Sequence, residues 1–404
     1  MDTRRSSEML ACAMSAGLYS VGADVMMLGV VPTPAVAYLV RKNKAKAGVM
    51  ISASHNPYEY NGIKIFDEDG YKLSDELEEQ IESIVLDNTP PIKIARGEEV
   101  GRRYNATYAL SDYVKYLAGT TDLTLDGMRI AIDCANGSAA ATAEQLFALL
   151  GAQTHILCNT PDGININDKC GSTHIEMLKK YVTDHKMDVG IAFDGDADRC
   201  LAVDERGEEI DGDFIMAIIA LHMKKHGLLN KNTVVGTVMS NYGFQKFCED
   251  NGITFIAAKV GDRYVLEMMK QEGYSFGGEQ SGHIIIPKYA TTGDGQLTAI
   301  ALLSLIKSSG KPLSELAAIM KKYPQHTVNV EATQNQKIAL FTDEEIKAII
   351  KNAEAMLNGD GRMVVRASGT ESVVRVMVEC SEREKTKRIA METAEKIRKT
   401  LMNY

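Results

Sequence analysis

Short apolar runs rich in β-branched residues alternate with helical patterns along almost the whole chain, and that alternation leaves few folds open. Strand patterns fall at 24–28, 48–51, 129–133, 154–157, 188–193, 233–238, 254–257 and 276–286. Helical patterns fall at 7–20, 75–86, 138–150, 175–185, 213–225, 242–251, 263–271 and 295–308. Strands separated by helices pair through crossovers, so this layout predicts βαβ units on largely parallel sheets. From 328 onward the order changes to a strand, a helix at 343–357, strands at 363–365 and 373–379, and a terminal helix at 382–402, which predicts a separate α+β domain. A chain of 404 residues needs more than one core. The expected domains are 1–118, 119–210, 211–324 and 325–404, and the first three are blocks of similar size.

Composition removes several functional classes. A net charge of -9 gives no electrostatic footprint for nucleic acid. No apolar run approaches the roughly 20 residues that span a bilayer, and the first residues lack a signal-peptide core, so a cytoplasmic location is expected. The seven cysteines are dispersed without a CxxC pair. Reduced, mostly buried thiols fit them better than zinc or disulfides.

Four segments carry chemistry. After the apolar run Val49-Met50-Ile51, the chain turns polar in Ser52-Ala53-Ser54-His55-Asn56-Pro57. Strand ends of open α/β sheets are where ligand sites form, so a serine there is a candidate nucleophile, although these residue types also make plain loops. Asp194, Asp196 and Asp198 follow the strand pattern 188–193 at spacing two, which in an extended backbone projects three carboxylates to one side. Without a cation they would repel, so the trio predicts an oxygen site for a hard divalent metal, most simply Mg²⁺. An EF-hand is the sharper rival, since Leu201 and Glu205 also fall on its pattern. Arg199 stands where that loop needs glycine, however, and strands rather than helices flank it.

Glu279, Ser281 and His283 repeat the spacing of two. A carboxylate, a hydroxyl and an imidazole on one side suit sugar hydroxyls and proton transfer, while a glycine-weakened strand with a polar face is the alternative. Arg366, Ser368, Gly369 and Thr370 lie between two strands and combine a guanidinium, hydroxyls and a glycine that lets amides converge, the makings of a phosphate cradle. An ordinary hairpin turn is the bland reading, and Arg375 on the next strand reads as supporting. Lys64 interrupts an apolar strand, where desolvation can lower a lysine pKa to acid or base duty, unless the strand is a solvated edge. Asp262 and Arg263, before a helix, can meet a hydroxyl or phosphate, yet Asp262 is equally an N-cap.

This ordered set resembles the α-D-phosphohexomutase family. Within it, Val260-Gly261-Asp262-Arg263-Tyr264-Val265 and Gly278-Glu279-Gln280-Ser281-Gly282-His283 look like the bacterial branch that acts on glucosamine phosphates. The resemblance implies three α/β domains with mixed sheets plus a C-terminal α+β domain around a central cleft. It implies a phosphorylated Ser54, Mg²⁺ held by Asp194, Asp196, Asp198 and the phosphoserine, and Arg199 orienting that phosphate. Lys64 and His283 match positions proposed as acid and base. Glu279, Ser281, Asp262 and Arg263 would read the sugar, and Arg366, Ser368, Gly369, Thr370 and Arg375 would hold the distal phosphate. The implied reaction interconverts glucosamine 6-phosphate and glucosamine 1-phosphate through a sugar 1,6-bisphosphate, on the route to UDP-N-acetylglucosamine and cell wall. Rival readings are a phosphomannomutase or phosphoglucomutase, and a silent phosphosugar-binding protein.

Two departures stand out. The cradle carries Ala367 and Ser372 where the family commonly has proline. The family pattern is also joined only after its first strand and an arginine-bearing glycine loop, so domain 1 is expected to expose an unpaired strand edge unless another chain, such as a second copy in a homodimer, covers it.

Overall fold

The computed structural model describes residues 1–87, 92–368 and 372–404. They form two compact units, one of residues 1–237 and 253–319, the other of residues 238–252 and 320–404.

The first unit opens with α1 (Arg5–Ser20), β1 (Val25–Met27), α2 (Thr33–Asn43), β2 (Gly48–Ile51), β3 (Ile63–Phe66), α3 (Asp75–Asp87), β4 (Arg103–Asn105) and α4 (Leu110–Ala118). β1 pairs in parallel with β4 and β2 pairs antiparallel with β3, but β1 and β2 do not pair with each other. Among the described residues, the first two link them. The Met1 amine donates to the Gly29 carbonyl (3.1 Å), the Val31 amide to the Met1 carbonyl (3.1 Å) and the Asp2 amide to the Ile51 carbonyl (3.0 Å). Two of these bonds run through Met1 to the segment after β1 and one through Asp2 to the end of β2. Behind them a groove of about 880 Å³ runs between the two strands, lined by Met14, Leu18, Val36, Val40 and Val49 among others. The unpaired edge expected from the sequence is therefore two edges facing one groove.

Next come β5 (Arg129–Asp133), α5 (Ala143–Leu149), β6 (Gln153–Leu157), α6 (Glu176–His185), β7 (Val189–Phe193), β8 (Cys200–Val203) and β9 (Glu209–Ile210). Their sheet has the order β6-β5-β7-β8-β9, parallel through β7 and antiparallel beyond it. Every residue of β7 and β8 is buried, as befits strands covered on both faces. Ala131, Ala192, Leu201 and Val203 of the sheet pack on Leu178 and Val182 of α6.

The third block holds α7 (Gly212–Lys225), β10 (Thr233–Thr237), α8 (Tyr242–Asp250), β11 (Thr254–Ala258), α9 (Asp262–Glu272), β12 (Gly277–Gly278), β13 (Ile284–Ile285), α10 (Gly295–Ser309) and α11 (Leu313–Ala317). Its sheet order, β11-β10-β12-β13, repeats that of the second block: second strand, first, third, then an antiparallel fourth. By that scheme β1, β2 and β3 occupy the second, third and fourth places of the first block, and the groove occupies the first. The single strand expected at 276–286 is instead a hairpin. Gly282, at φ 90°, reverses the chain, with its amide donating to the Glu279 carbonyl at 3.0 Å.

The second unit contains α8 together with β14 (Gln325–Glu331), α12 (Gln334–Thr342), α13 (Glu344–Leu357), β15 (Gly361–Ala367), β16 (Val373–Cys380) and α14 (Arg383–Leu401). Its antiparallel sheet has the order β14-β16-β15 and shares a core of Val330, Val374 and Val376 with Ile346, Ile397 and Leu401. The helix α12 escapes the sequence reading because its start is polar; a capping box between Thr333 and Gln336 holds it. Buried Glu379 accepts from Arg362 Nε (2.6 Å), Asn241 Nδ2 (3.0 Å) and the Tyr242 amide (3.1 Å). That junction groups α8 with the C-terminal elements, across the 324 boundary expected from the sequence.

A strand-shaped groove makes a direct prediction. Fusing a short extension of alternating valine and threonine to the Met1 amine should raise the thermal midpoint by at least ~2 °C, since each kcal/mol is worth a few degrees in a chain this size. The same extension with proline at alternate positions should give no gain, because proline cannot donate to the ladder.

Candidate active site

Each of the three α/β blocks delivers a polar loop from the same place, the turn between its third strand and its antiparallel fourth. The Ser54 loop leaves β2, the Asp194 loop leaves β7 and the Glu279 loop leaves β12. The repeat therefore brings them to the carboxyl ends of corresponding strands, where open sheets form sites.

Ser54 adopts the left-handed conformation, φ 52°, which turns the chain sharply after Ile51. Its amide donates to Ser52 Oγ at 3.0 Å, so Ser52 shapes the loop, while Ser54 Oγ donates to Asp194 Oδ2 at 2.5 Å. Two residues absent from the sequence reading clamp this loop. Asn167 Nδ2 donates to the carbonyls of Ser54 (2.9 Å) and Asn56 (3.1 Å), and Arg4 Nη2 donates to the same two at 3.1 and 2.5 Å. Arg4 is itself buried in an ion pair with Asp2. No local pattern marks either residue, because both act on a loop distant in sequence.

Asp194, Asp196 and Asp198 are buried, and an oxygen of each lies within 4.8 Å of the other two. They converge through a turn rather than an extended strand: Ala197 has φ 57° and its amide donates to the Asp194 carbonyl at 3.1 Å. Gly195 is required within that turn, since a Cβ there would lie 2.5 Å from the Ser54 carbonyl. Burial and the neighbouring carboxylates push Asp194 up to about 8. Lys64 Nζ meets Asp196 Oδ2 at 2.5 Å and Asp198 Oδ2 at 3.3 Å. Burial and Asp198 push Asp196 upward, but Lys64 outweighs them and leaves it below its ordinary range. Lys64 is corrected by the same contacts. Burial alone would lower its pKa, yet Asp196 and Asp198 raise it, so the expected depressed lysine is instead a firmly protonated counter-ion.

Arg199 donates its amide to Asp194 Oδ1 at 3.2 Å and holds Nε 4.0 Å from Asp198 Oδ1. Buried His283 spans two blocks' loops, with Nδ1 3.6 Å from Asp198 Oδ1 and Nε2 3.4 Å from Asp262 Oδ2. Burial would lower its pKa, but the two carboxylates win and raise it. The Gly293 amide donates to Nε2 at 3.0 Å, which assigns Nδ1 the proton of the neutral ring and directs it at Asp198. Asp262 caps nothing through its side chain. It pairs with Lys72, and although burial opposes ionisation, His283 and Lys72 bring it down to about 2. Arg263 pairs with Asp75 and Glu267. Glu279 Oε1 accepts the Gly261 amide at 3.1 Å, and Ser281 Oγ is buried without a hydrogen-bond partner. These residues share a turn, not the one-sided strand that their spacing suggested.

The candidate cradle lies in the second unit. Arg366 on β15 stands directly opposite Arg375 on β16, and burial and Arg375 lower the Arg366 pKa. Two guanidiniums in one cross-strand pair repel, which an anion between them would relieve. The Ser368 amide donates to the Val373 carbonyl at 2.9 Å, closing the hairpin. Gly369 and Thr370 lie outside the described residues.

Known proteins match this arrangement. Four profiles of the phosphoglucomutase/phosphomannomutase family match in chain order: alpha/beta/alpha domain I at residues 1–91, domain II at 111–207, domain III at 211–323 and the C-terminal domain at 328–396. The chain belongs to this family. A phosphoglucosamine mutase of Clostridium novyi (strain NT) is 53% identical over 397 residues, covering 98% of this chain and 88% of the relative. One from Acetivibrio thermocellus is 52% identical over 401 residues, covering 99% and 89%. Among solved structures, a family protein from Burkholderia thailandensis superposes with a TM-score of 0.82 at 22% identity, covering 99% of this chain and 88% of that one. An N-acetylphosphoglucosamine mutase of Aspergillus fumigatus, in complex with GlcNAc-6P and magnesium, gives 0.70 at 18%, covering 96% and 99%. The family's expected mixed α/β sheets and C-terminal α+β domain are thus present.

Behind His283, buried Asp294 caps α10 and accepts from Tyr113 Oη at 2.8 Å. Burial raises it from 3.8 to about 6, against the hydrogen bonds from Leu297 and Tyr113. A carboxyl with a raised native pKa binds more protons folded than unfolded, so its contribution to stability falls as pH rises through that interval. Asp294→Asn keeps the cap acceptor and removes the titration. Urea unfolding should show the wild type losing stability relative to this variant from pH ~4 to ~7, with the two curves parallel above that.

Proposed function

We propose that this chain is a phosphoglucosamine mutase, an intramolecular phosphotransferase that interconverts glucosamine 6-phosphate and glucosamine 1-phosphate. The observation that carries the reading is Ser54 Oγ held against a buried acidic triad. Half-identical relatives named for that activity support the choice of sugar.

The triad fits a hard divalent cation. Asp196 Oδ1 is buried without a hydrogen-bond partner, and three clustered carboxylates suit an oxygen-coordinating ion. Asp194, Asp196, Asp198 and an oxygen at Ser54 would hold Mg²⁺. Bound there, the ion would neutralise charge on a phosphoryl group carried by Ser54.

The chain's own residues do the rest. Ser54, phosphorylated at rest, donates its phosphoryl group to the free hydroxyl of the hexosamine phosphate. The resulting 1,6-bisphosphate turns over, and Ser54 takes a phosphoryl group back from the other position. Lys64 and Arg199 supply fixed positive charge beside the transferring group, the main catalytic need in phosphoryl transfer. The raised Lys64 pKa fits charge stabilisation better than proton transfer. His283, flanked by Asp198 and Asp262, is the better group to exchange a proton with the sugar hydroxyl. Glu279 and Ser281 accept the ring in both orientations, with Asp262 and Arg263 beside them, and Arg366, Ser368, Gly369, Thr370 and Arg375 hold the phosphate that is not reacting. Functional domains at 1–118, 119–210, 211–324 and 325–404 accompany this division of labour.

Intact mass tests the phosphoserine. After incubation with glucose 1,6-bisphosphate the protein should carry one phosphate above its sequence mass, and Ser54→Ala should not; the same excess in both would overturn Ser54 as the carrier. Turnover of glucosamine 6-phosphate should exceed that of the mannose and glucose analogues by at least ~10². Lys64→Met leaves two buried carboxylates without their counter-ion and should cost ~3–5 kcal/mol in metal-free urea unfolding. Added Mg²⁺ should recover part of that loss.

A further inference from the structure

The fold assembles a second set of metal-ligating side chains from three segments dispersed in sequence. Asp133 ends β5, Cys158 follows β6 and Cys170 precedes α6. One carboxylate oxygen and the two sulfurs all lie within 4.8 Å of one another. Asp133 and Cys170 are buried, and Cys158 is half-buried, which leaves a way in from solvent. All seven cysteines are free thiols.

The cluster is built, not incidental. Asp133 Oδ1 accepts the Ala135 amide at 2.9 Å and Oδ2 the Gly171 amide at 2.7 Å, which fixes the carboxyl group toward the sulfurs. The Asn136 amide donates to the Cys158 carbonyl at 2.6 Å, and Asn136 Nδ2 lies 3.8 Å from Cys170 Sγ. These are the outer contacts that orient ligands in a metal site. Ala135, Asn136, Cys158, Asn167 and Lys169 all hold positive φ, so both loops are kept in conformations that cost energy.

The chemistry selects the ion. With no cation, burial raises the Asp133 pKa, while contact with Cys158 and burial keep the Cys170 thiol protonated. Two thiolates with one carboxylate suit a soft or borderline ion, in contrast to the all-oxygen triad. We propose that Asp133, Cys158 and Cys170 form a binding site for a zinc-class divalent cation, distinct from the triad. Each thiol loses its proton to solvent as its sulfur–metal bond forms, Asp133 supplies an oxygen, and no electron is transferred. The site lies behind the catalytic loops: the segment 158–170 carries Asn167, which clamps the Ser54 loop, and Ser172, two residues beyond Cys170, donates its amide to the Phe193 carbonyl at 2.9 Å, beside Asp194. Occupancy would therefore stiffen the backbone on which Ser54 and Asp194 rest.

Cobalt(II) is the probe, titrated anaerobically into the reduced full-length chain with excess Mg²⁺ present. One equivalent should bind with a thiolate-to-cobalt charge-transfer band, and Zn²⁺ should displace it. Cys158→Ala and Cys170→Ala should each lose the band and weaken binding beyond the ~10–100-fold that follows loss of an outer contact. Cys12→Ala and Asp194→Asn should retain it. Circular dichroism checks that the variants fold, and Cys158→Ala, at a half-buried loop position, keeps the test usable should Cys170→Ala unfold. No charge-transfer band in the wild type, a band that survives Cys158→Ala, or one that vanishes in Cys12→Ala would each overturn the proposal.

Discussion

Three buried carboxylates in one turn are the constraint around which the first unit is organised. Asp194, Asp196 and Asp198 cannot all ionise in a dry interior unless positive charge or hydrogen-bond donors come to them. The structure brings Lys64 from β3, Ser54 from the loop after β2, Arg199 from just before β8 and His283 from the hairpin before β13. Each partner comes from a different segment. The electrostatic demand of one turn thus ties all three α/β blocks together, and removing a partner leaves an uncompensated charge rather than merely a lost contact.

The internal repeat explains how such distant segments meet. A sheet that runs second, first, third and then an antiparallel fourth strand ends its parallel part at the third strand, and the chain must turn there. In each block that turn carries the polar residues, so three copies of one topology present the Ser54 loop, the acidic cluster and the Glu279 loop from equivalent positions. Loops on a rigid sheet can change chemistry without changing the fold that aims them. In the first block Met1 and Asp2 hydrogen-bond on either side of the groove between β1 and β2.

Two further features show charge being used for position. Glu379 is fully buried and gathers Arg362, Asn241 and the Tyr242 amide, holding α8 against the C-terminal sheet. Arg366 and Arg375 do the reverse: they stand opposite each other across two strands, and burial and Arg375 lower the Arg366 pKa.

The sequence by itself determined the secondary structure of the long periodic segments and the chemistry of each loop. Gly48–Ile51 and Arg129–Asp133 were legible to the residue, because hydrophobic periodicity is a local property. Ser54, the three aspartates and His283 were legible as candidates because their side chains announce what they can do. Only the tertiary structure decided how those groups meet. The acidic trio converges by a turn rather than a strand, Lys64 is a counter-ion because it is buried with carboxylates rather than alone, and the serine loop is clamped by Arg4 from 50 residues before it and by Asn167 from 113 residues after it. Cys158 and Cys170 read as isolated thiols until folding sets them beside Asp133. Burial, charge pairing and loop contact depend on neighbours remote in sequence, and no local pattern encodes them.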